Sequence, residues 1–143
     1  MNIKEILKWF KKAVPEPTVK TTAIQTAVCW EETAERADAM GECELYNSLH
    51  ELSEKIKSDS LEMQIHFEYM SKEQRVELLD SMCDEIVTRI GEAYMAGFDI
   101  VGALDEVNRS NWSKFENGKP VFDENGKIKK GESYFKPDLS KFI

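Results

Sequence analysis

The chain has little that could bind a soft metal or staple a small fold. It contains only three cysteines and two histidines. Cys29, Cys43 and Cys83 show no CxxC or other zinc spacing, and His50 and His66 lie far from any second soft ligand, so a zinc site is not expected. Two of the cysteines fall in apolar helical patterns, which predicts reduced core thiols and a cytoplasmic protein. Basic residues are in deficit, 19 Lys and Arg against 27 Asp and Glu, for a net charge of −8. That balance argues against nonspecific binding to nucleic acid or to an anionic membrane. No apolar run approaches the roughly 20 residues that span a bilayer, and the N-terminus lacks the apolar core of a signal peptide. Internal repeats and low-complexity segments are absent as well.

What remains is an acidic sequence, 41% apolar and 32% charged, whose 143 residues suffice for a single domain, 1–143, with a real core. Helical spacing dominates it. Apolar residues at 3, 6, 7, 10 and 14 predict a short amphipathic N-terminal helix with a basic outer side. Such a helix docks on the core or on a partner subunit; a membrane-surface role is the weaker alternative. Pro15-Glu16-Pro17 ends it, so residues 1–17 form a helix and linker. Thr22-Ala23-Ile24-Gln25 resembles a capping box and opens a helix running to about Met40, which Gly41 closes. Leu45, Leu49, Leu52 and Ile56 predict another helix from about Glu42 to Lys57.

Residues 61–69 alternate as a strand would, yet Leu61, Ile65 and Tyr69 also fit a helix, and we read helix because no partner strand is evident. Ser71-Lys72-Glu73-Gln74 opens a long helix that Gly97 ends, and Asp99 caps a further one to about Asn111. A helical core over 21–111 follows, with a tail over 112–143. In that tail Asn125-Gly126 signals a hairpin turn that Val121-Phe122 and Lys127-Ile128 would flank.

Two acidic stretches stand out. On the long helix Glu77, Asp80 and Asp84 fall at i, i+3 and i+7, one face. Such carboxylates repel by a few tenths of a kcal/mol per pair, roughly, and a divalent cation would relieve this. A solvated acidic face is the bland alternative in a chain this acidic. Glu31-Glu32-Thr33-Ala34-Glu35 places a second set at i, i+3 and i, i+4. If the two faces meet, the oxygen ligands suit Mg²⁺ or Mn²⁺ rather than zinc.

An EExxE on one helix and an ExxD on a later one resemble the all-α NTP pyrophosphatase superfamily, the MazG-like and phosphoribosyl-ATP pyrophosphohydrolase-like proteins. The stretch Gly91-Glu92-Ala93-Tyr94-Met95-Ala96-Gly97-Phe98-Asp99 leads into Glu106-Val107-Asn108-Arg109-Ser110-Asn111-Trp112-Ser113-Lys114. Together with Gly126-Lys127-Ile128-Lys129-Lys130-Gly131 and Pro137-Asp138-Leu139, it is similar to the C-terminal half of small, often phage-encoded members. Two features depart from many relatives: the long spacer from Gly41 to Gln74, and Asn108 where His is expected.

The resemblance implies an all-α fold, an antiparallel helical bundle with a four-helix core. It implies a Mg²⁺-dependent hydrolase, with Mn²⁺ able to substitute, that cleaves a (deoxy)nucleoside triphosphate such as dGTP or dUTP to the monophosphate and pyrophosphate. Glu32, Glu35, Glu77 and Asp80 would hold the metal, with Asp84 as a further ligand. Glu31 or one of the bound carboxylates would orient the water. Asn108, Arg109, Asn111 and Lys114 would meet sugar or phosphates. Trp112 would stack on the base or serve as a core tryptophan. A homodimer or homotetramer in the cytoplasm, the host's if phage-encoded, is implied too. Phosphoribosyl-ATP hydrolysis and a non-enzymatic acidic interaction module are the alternatives.

Overall fold

The computed structural model describes residues 3–124 and 128–143. Six α-helices follow in order: α1 (Ile3–Ala13), α2 (Val19–Ala39), α3 (Cys43–Ser58), α4 (Leu61–Glu68), α5 (Lys72–Met95) and α6 (Ile100–Trp112), with a 3₁₀ turn at Ser140–Phe142. The protein is mostly helical, as the periodicity predicts. Among the described residues no strand forms; two isolated antiparallel bridges join Glu116 to Lys119 and Phe122 to Ile128. The expected hairpin turn at Asn125-Gly126, and Lys127 beside it, lie outside the described residues. No described helix is long and apolar enough to cross a membrane.

The chain divides into two compact units, residues 16–71 and residues 1–15 with 72–143. In the first, α2 begins one turn earlier than its sequence signal. Thr18, not Thr22, is the cap. Its side chain accepts from the Thr21 N–H at 3.2 Å, and the Thr21 hydroxyl accepts from the Thr18 N–H at 2.7 Å. The threonine run offers several residues able to cap, and the first one past Pro17 takes the role. Gly41, at φ +81°, reverses the chain after α2.

The short turn folds α2 and α3 into an antiparallel hairpin. Ala23, Ala27, Ala34 and Ala37 form a wholly buried stripe on α2. Methyl-sized side chains let the helices approach closely, and the buried Ser53 hydroxyl donates to the Ala27 carbonyl at 2.7 Å. Ile56 completes this packing. α4 also lies on α2 and is helical, settling the ambiguity of residues 61–69.

The second unit is organised by α6. Asp99 caps it, accepting from the Gly102 N–H at 3.0 Å. Residues 99, 102, 106, 110 and 113 recur every three or four positions, so they form one face, and the C-terminal segment is fastened along it. The Asp99 N–H donates to the Phe142 carbonyl at 2.8 Å. Gly102 is bare because a Cβ there would lie 2.5 Å from the Phe142 ring. The Glu106 carboxylate accepts from the Asp138 N–H at 3.1 Å. The Ser110 hydroxyl donates to the Phe135 carbonyl at 2.7 Å, and the Ser113 hydroxyl accepts from the Phe135 N–H at 3.1 Å.

The opposite end of α6 seats α1. Trp9 stacks on Phe115, ring centroids 5.6 Å apart, and its indole N–H donates to the Asn111 carbonyl at 2.9 Å. Trp9, Ala13 and Phe115 form a small buried cluster. Within its own unit the N-terminal helix is therefore docked.

Long α5 is different. Among the described residues none on α5 is buried. Val76, Leu79, Met82, Ile86, Val87 and Ile90 are all between 45% and 65% exposed. None of the three cysteines forms a disulfide, as expected, but all are exposed rather than core residues. Cys83 shares the uncovered α5 stripe, and Cys29 and Cys43 lie off the alanine stripe of the hairpin, so apolar spacing alone does not place them inside.

Candidate acidic metal and nucleotide site

In the first unit the EExxE motif occupies the fourth and fifth turns of α2. Glu31 adjoins the alanine stripe and faces α3. Its Oε1 lies 3.0 Å from the Lys57 ammonium, and both side chains are less than one-fifth exposed. Lys57 also binds Glu54 at 2.8 Å. Burial pushes the Lys57 ammonium down, but its hydrogen bonds to Glu54 and Glu31 outweigh this and hold it above the ordinary lysine value. The hydrogen bond and charge of Lys57 hold the Glu54 carboxyl below its usual value. Glu32 and Glu35 are exposed on the side of α2 away from the stripe.

In the second unit Glu77, Asp80 and Asp84 are exposed along one edge of the α5 apolar stripe. Each helix therefore displays its acidic residues one turn apart. Within neither unit do the described residues gather three His, Cys, Asp or Glu side chains at metal-binding separation. The donors themselves fit a hard cation. They are carboxylate oxygens on helix surfaces, and Mg²⁺ binds through one or two carboxylates while completing its shell with water and substrate phosphate.

Asn108, Arg109, Asn111 and Trp112 lie on α6, and Lys114 just beyond it. Asn108, Asn111 and Trp112 share a face by their spacing; Arg109 does not. The Arg109 guanidinium is bidentate on Glu106, at 2.9 and 2.7 Å, and lies 4.2 Å from the centre of the Phe135 ring. Arg109 thus helps fasten the tail, while its side chain remains 61% exposed. Its hydrogen bonds, with that from the Asp138 N–H, hold the Glu106 carboxyl below its ordinary value. Trp112 meets Phe115 edge-on at 5.4 Å, and the Lys12 ammonium lies 5.7 Å from its ring centre, which makes it part of the α1 seat. Asn108, Asn111 and Lys114 are half-buried.

Sequence reasoning did not single out Lys57, Glu106 or Ser110. The signals were there: Glu106 and Arg109 stand at i, i+3, and the 99–113 spacing carries small or polar residues where a solvent-facing helix usually has long ones. No spacing rule links Glu31 to Lys57, because they lie on different helices.

No family model matches this chain, and no curated protein or solved structure matches it.

Proposed function

We propose that the protein is a Mg²⁺-dependent nucleoside triphosphate pyrophosphohydrolase of the MazG-like, all-α type. It would cleave the α–β phosphoanhydride of a (deoxy)nucleoside triphosphate, with dGTP and dUTP as first candidates. The observation that carries the reading is the pair of acidic motifs on separate helices, EExxE on α2 and ExxD on α5, each with its carboxylates one turn apart. In this reading Glu32, Glu35, Glu77 and Asp80, with Asp84 in reserve, hold Mg²⁺ or Mn²⁺, which when bound neutralises the phosphates. The chain's own groups do the rest. Glu31 or one of the ligating carboxylates orients the attacking water. Asn108, Asn111, Lys114 and the exposed part of Arg109 meet sugar and phosphate, and Trp112 borders the base. Hydrolysis at this linkage depends chiefly on positioning and charge stabilisation, which carboxylates fixed on helices suit.

The four-helix core and the tail hairpin belong to the same proposal. So do a cytoplasmic setting, the host's if the chain is phage-encoded, and a homodimer or homotetramer. The uncovered apolar stripe of α5 supports assembly, because six large apolar side chains, each about half exposed, would gain on the order of 1 kcal/mol apiece on full burial.

The test is incubation with a panel of ribo- and deoxynucleoside triphosphates and Mg²⁺, with both products identified. The reading expects monophosphate and pyrophosphate in equal amounts. Release of orthophosphate instead, or of nothing from any nucleotide, contradicts it. Cleavage of phosphoribosyl-ATP alone would move the substrate to histidine synthesis.

A further inference from the structure

Tyr46, His50, Ser53 and Lys57 recur on α3 at i, i+4, i+7 and i+11, which is one helix face. Two of them fix that face against α2, Ser53 by its bond to the Ala27 carbonyl and Lys57 by its ion pair with Glu31. The other two lie nearer the turn. Glu31 stands ten residues before Gly41 and His50 nine after it; Glu35 stands six before and Tyr46 five after. Both helices of the hairpin rise by about 1.5 Å per residue, so His50 is level with Glu31 and Tyr46 with Glu35.

The Tyr46 and His50 rings are stacked, centroids 5.4 Å apart and planes within 10°. Both are half-buried. Among the described residues neither the Tyr46 hydroxyl nor a His50 ring nitrogen makes a hydrogen bond. An aromatic pair whose polar edges are unspent offers what a nucleobase needs, a π surface and hydrogen-bonding groups at its margin. Of the acidic motif, Glu31 lies on this side of α2.

We infer that Tyr46 and His50 form the nucleobase contact of a nucleotide site on the α2–α3 hairpin, an assignment that rests on the pyrophosphohydrolase reading. It gives the long segment between the acidic motifs a role. Base contact comes from α3, while the EExxE turn of α2 handles the phosphate end.

The experiment compares Tyr46→Ala and His50→Gln with the unsubstituted protein. It measures kcat and KM for the best nucleotide, and the inhibition constant of inorganic tripolyphosphate, which has no base. Helicity and thermal unfolding are recorded alongside, and His50→Gln keeps a polar side chain of similar reach should Tyr46→Ala fold poorly. Loss of a stacked base predicts that KM rises about tenfold or more, with tripolyphosphate inhibition unchanged. Unchanged KM in both variants overturns the base contact and leaves the pyrophosphohydrolase intact. A parallel rise in KM and in the tripolyphosphate constant also overturns it, since the residues would then act on the phosphates or the fold. No hydrolysis by the unsubstituted protein overturns both readings at once.

Discussion

Helices α2 and α5 are of similar length and carry matching acidic motifs, yet they are built in opposite ways. α2 buries four alanines completely, and Lys57 on the neighbouring helix holds its Glu31. α5 has no buried residue among those described, and its carboxylates border a stripe of exposed aliphatic side chains. The α2 motif therefore stands on a helix packed within its own unit, with Glu31 held by Lys57 and Glu32 and Glu35 exposed, and the α5 motif on a helix whose packing surface is uncovered. Preorganisation matters because a misplacement of about 1 Å can cost a factor of 100 or so in rate. For the proposed enzyme, the α2 motif is carried by a packed helix, whereas the placement of the α5 motif depends on what covers α5.

The largest expected effect is on catalysis. Replacing Glu35 by Gln or Asp80 by Asn keeps the shape and removes a ligand charge. Mg²⁺-dependent turnover should fall at least about 100-fold, read as initial pyrophosphate release, with helicity unchanged. A loss confined to one helix's motif would break the symmetry between them.

Next comes the contrast in packing. Ala34→Leu forces extra methylenes into the α2–α3 contact and should destabilise by about 1–3 kcal/mol, read by urea unfolding. Leu79→Ser changes a side chain that is 63% exposed. It should move intrinsic stability by no more than about 0.5 kcal/mol but shift the sedimentation profile toward monomer. If Leu79→Ser destabilises as much as Ala34→Leu at a dilution where only monomer sediments, α5 is buried within the single chain and the contrast fails.

The tail clasp gives a smaller, pH-dependent effect. The Glu106 carboxyl lies below its ordinary value of 4.5 when folded, chiefly through its hydrogen bond from Arg109. A depressed carboxyl contributes stability above its unfolded pKa and loses it as pH falls through the folded one. Protection of the tail amides from hydrogen exchange should therefore hold above about pH 4.5 and fall below it. Glu106→Gln should flatten that acid limb. An unchanged acid limb in Glu106→Gln would remove the carboxylate from the clasp. Smallest is Gly102→Ala. The new methyl meets the Phe142 ring and the tip of Asp99, but a gain of about 0.5–1 kcal/mol in helix propensity opposes that clash. Net stability should change by under about 1 kcal/mol while protection of the Phe142 amide falls, as NMR would show.

Much of the fold was legible because helices announce themselves locally. The 3.6-residue period, Gly41, Asp99 and the Pro15-Glu16-Pro17 break placed five of the helices to within a few residues, and α4 came from a weaker choice between two periods. Capping was less legible, since Thr18, Thr21 and Thr22 offer similar hydroxyls and only the backbone path decides among them. The acidic motifs were visible as spacing, but their surroundings were not. The Glu31–Lys57 pair joins residues 26 apart, and the level matching of Tyr46 with Glu35 depends on where the hairpin turns. The fastening of the tail to α6 was hidden for a related reason. Gly102, Ser110 and Ser113 look like ordinary polar helix residues until the segment they hold is placed on them. Apolar spacing also misled, by sending Cys83 to a core that α5 does not have.

The central proposal is that Glu35 of α2 and Asp80 of α5 are both needed to bind the metal and the nucleotide. Mn²⁺ binding followed by electron paramagnetic resonance, in the presence of a nucleotide with a non-hydrolysable α–β linkage, tests it directly. The account predicts that Glu35→Gln and Asp80→Asn each weaken Mn²⁺ binding substantially, and that combining them adds less than the sum of their separate effects. Binding that is unaffected by either substitution, or two losses that are strictly additive, would contradict it.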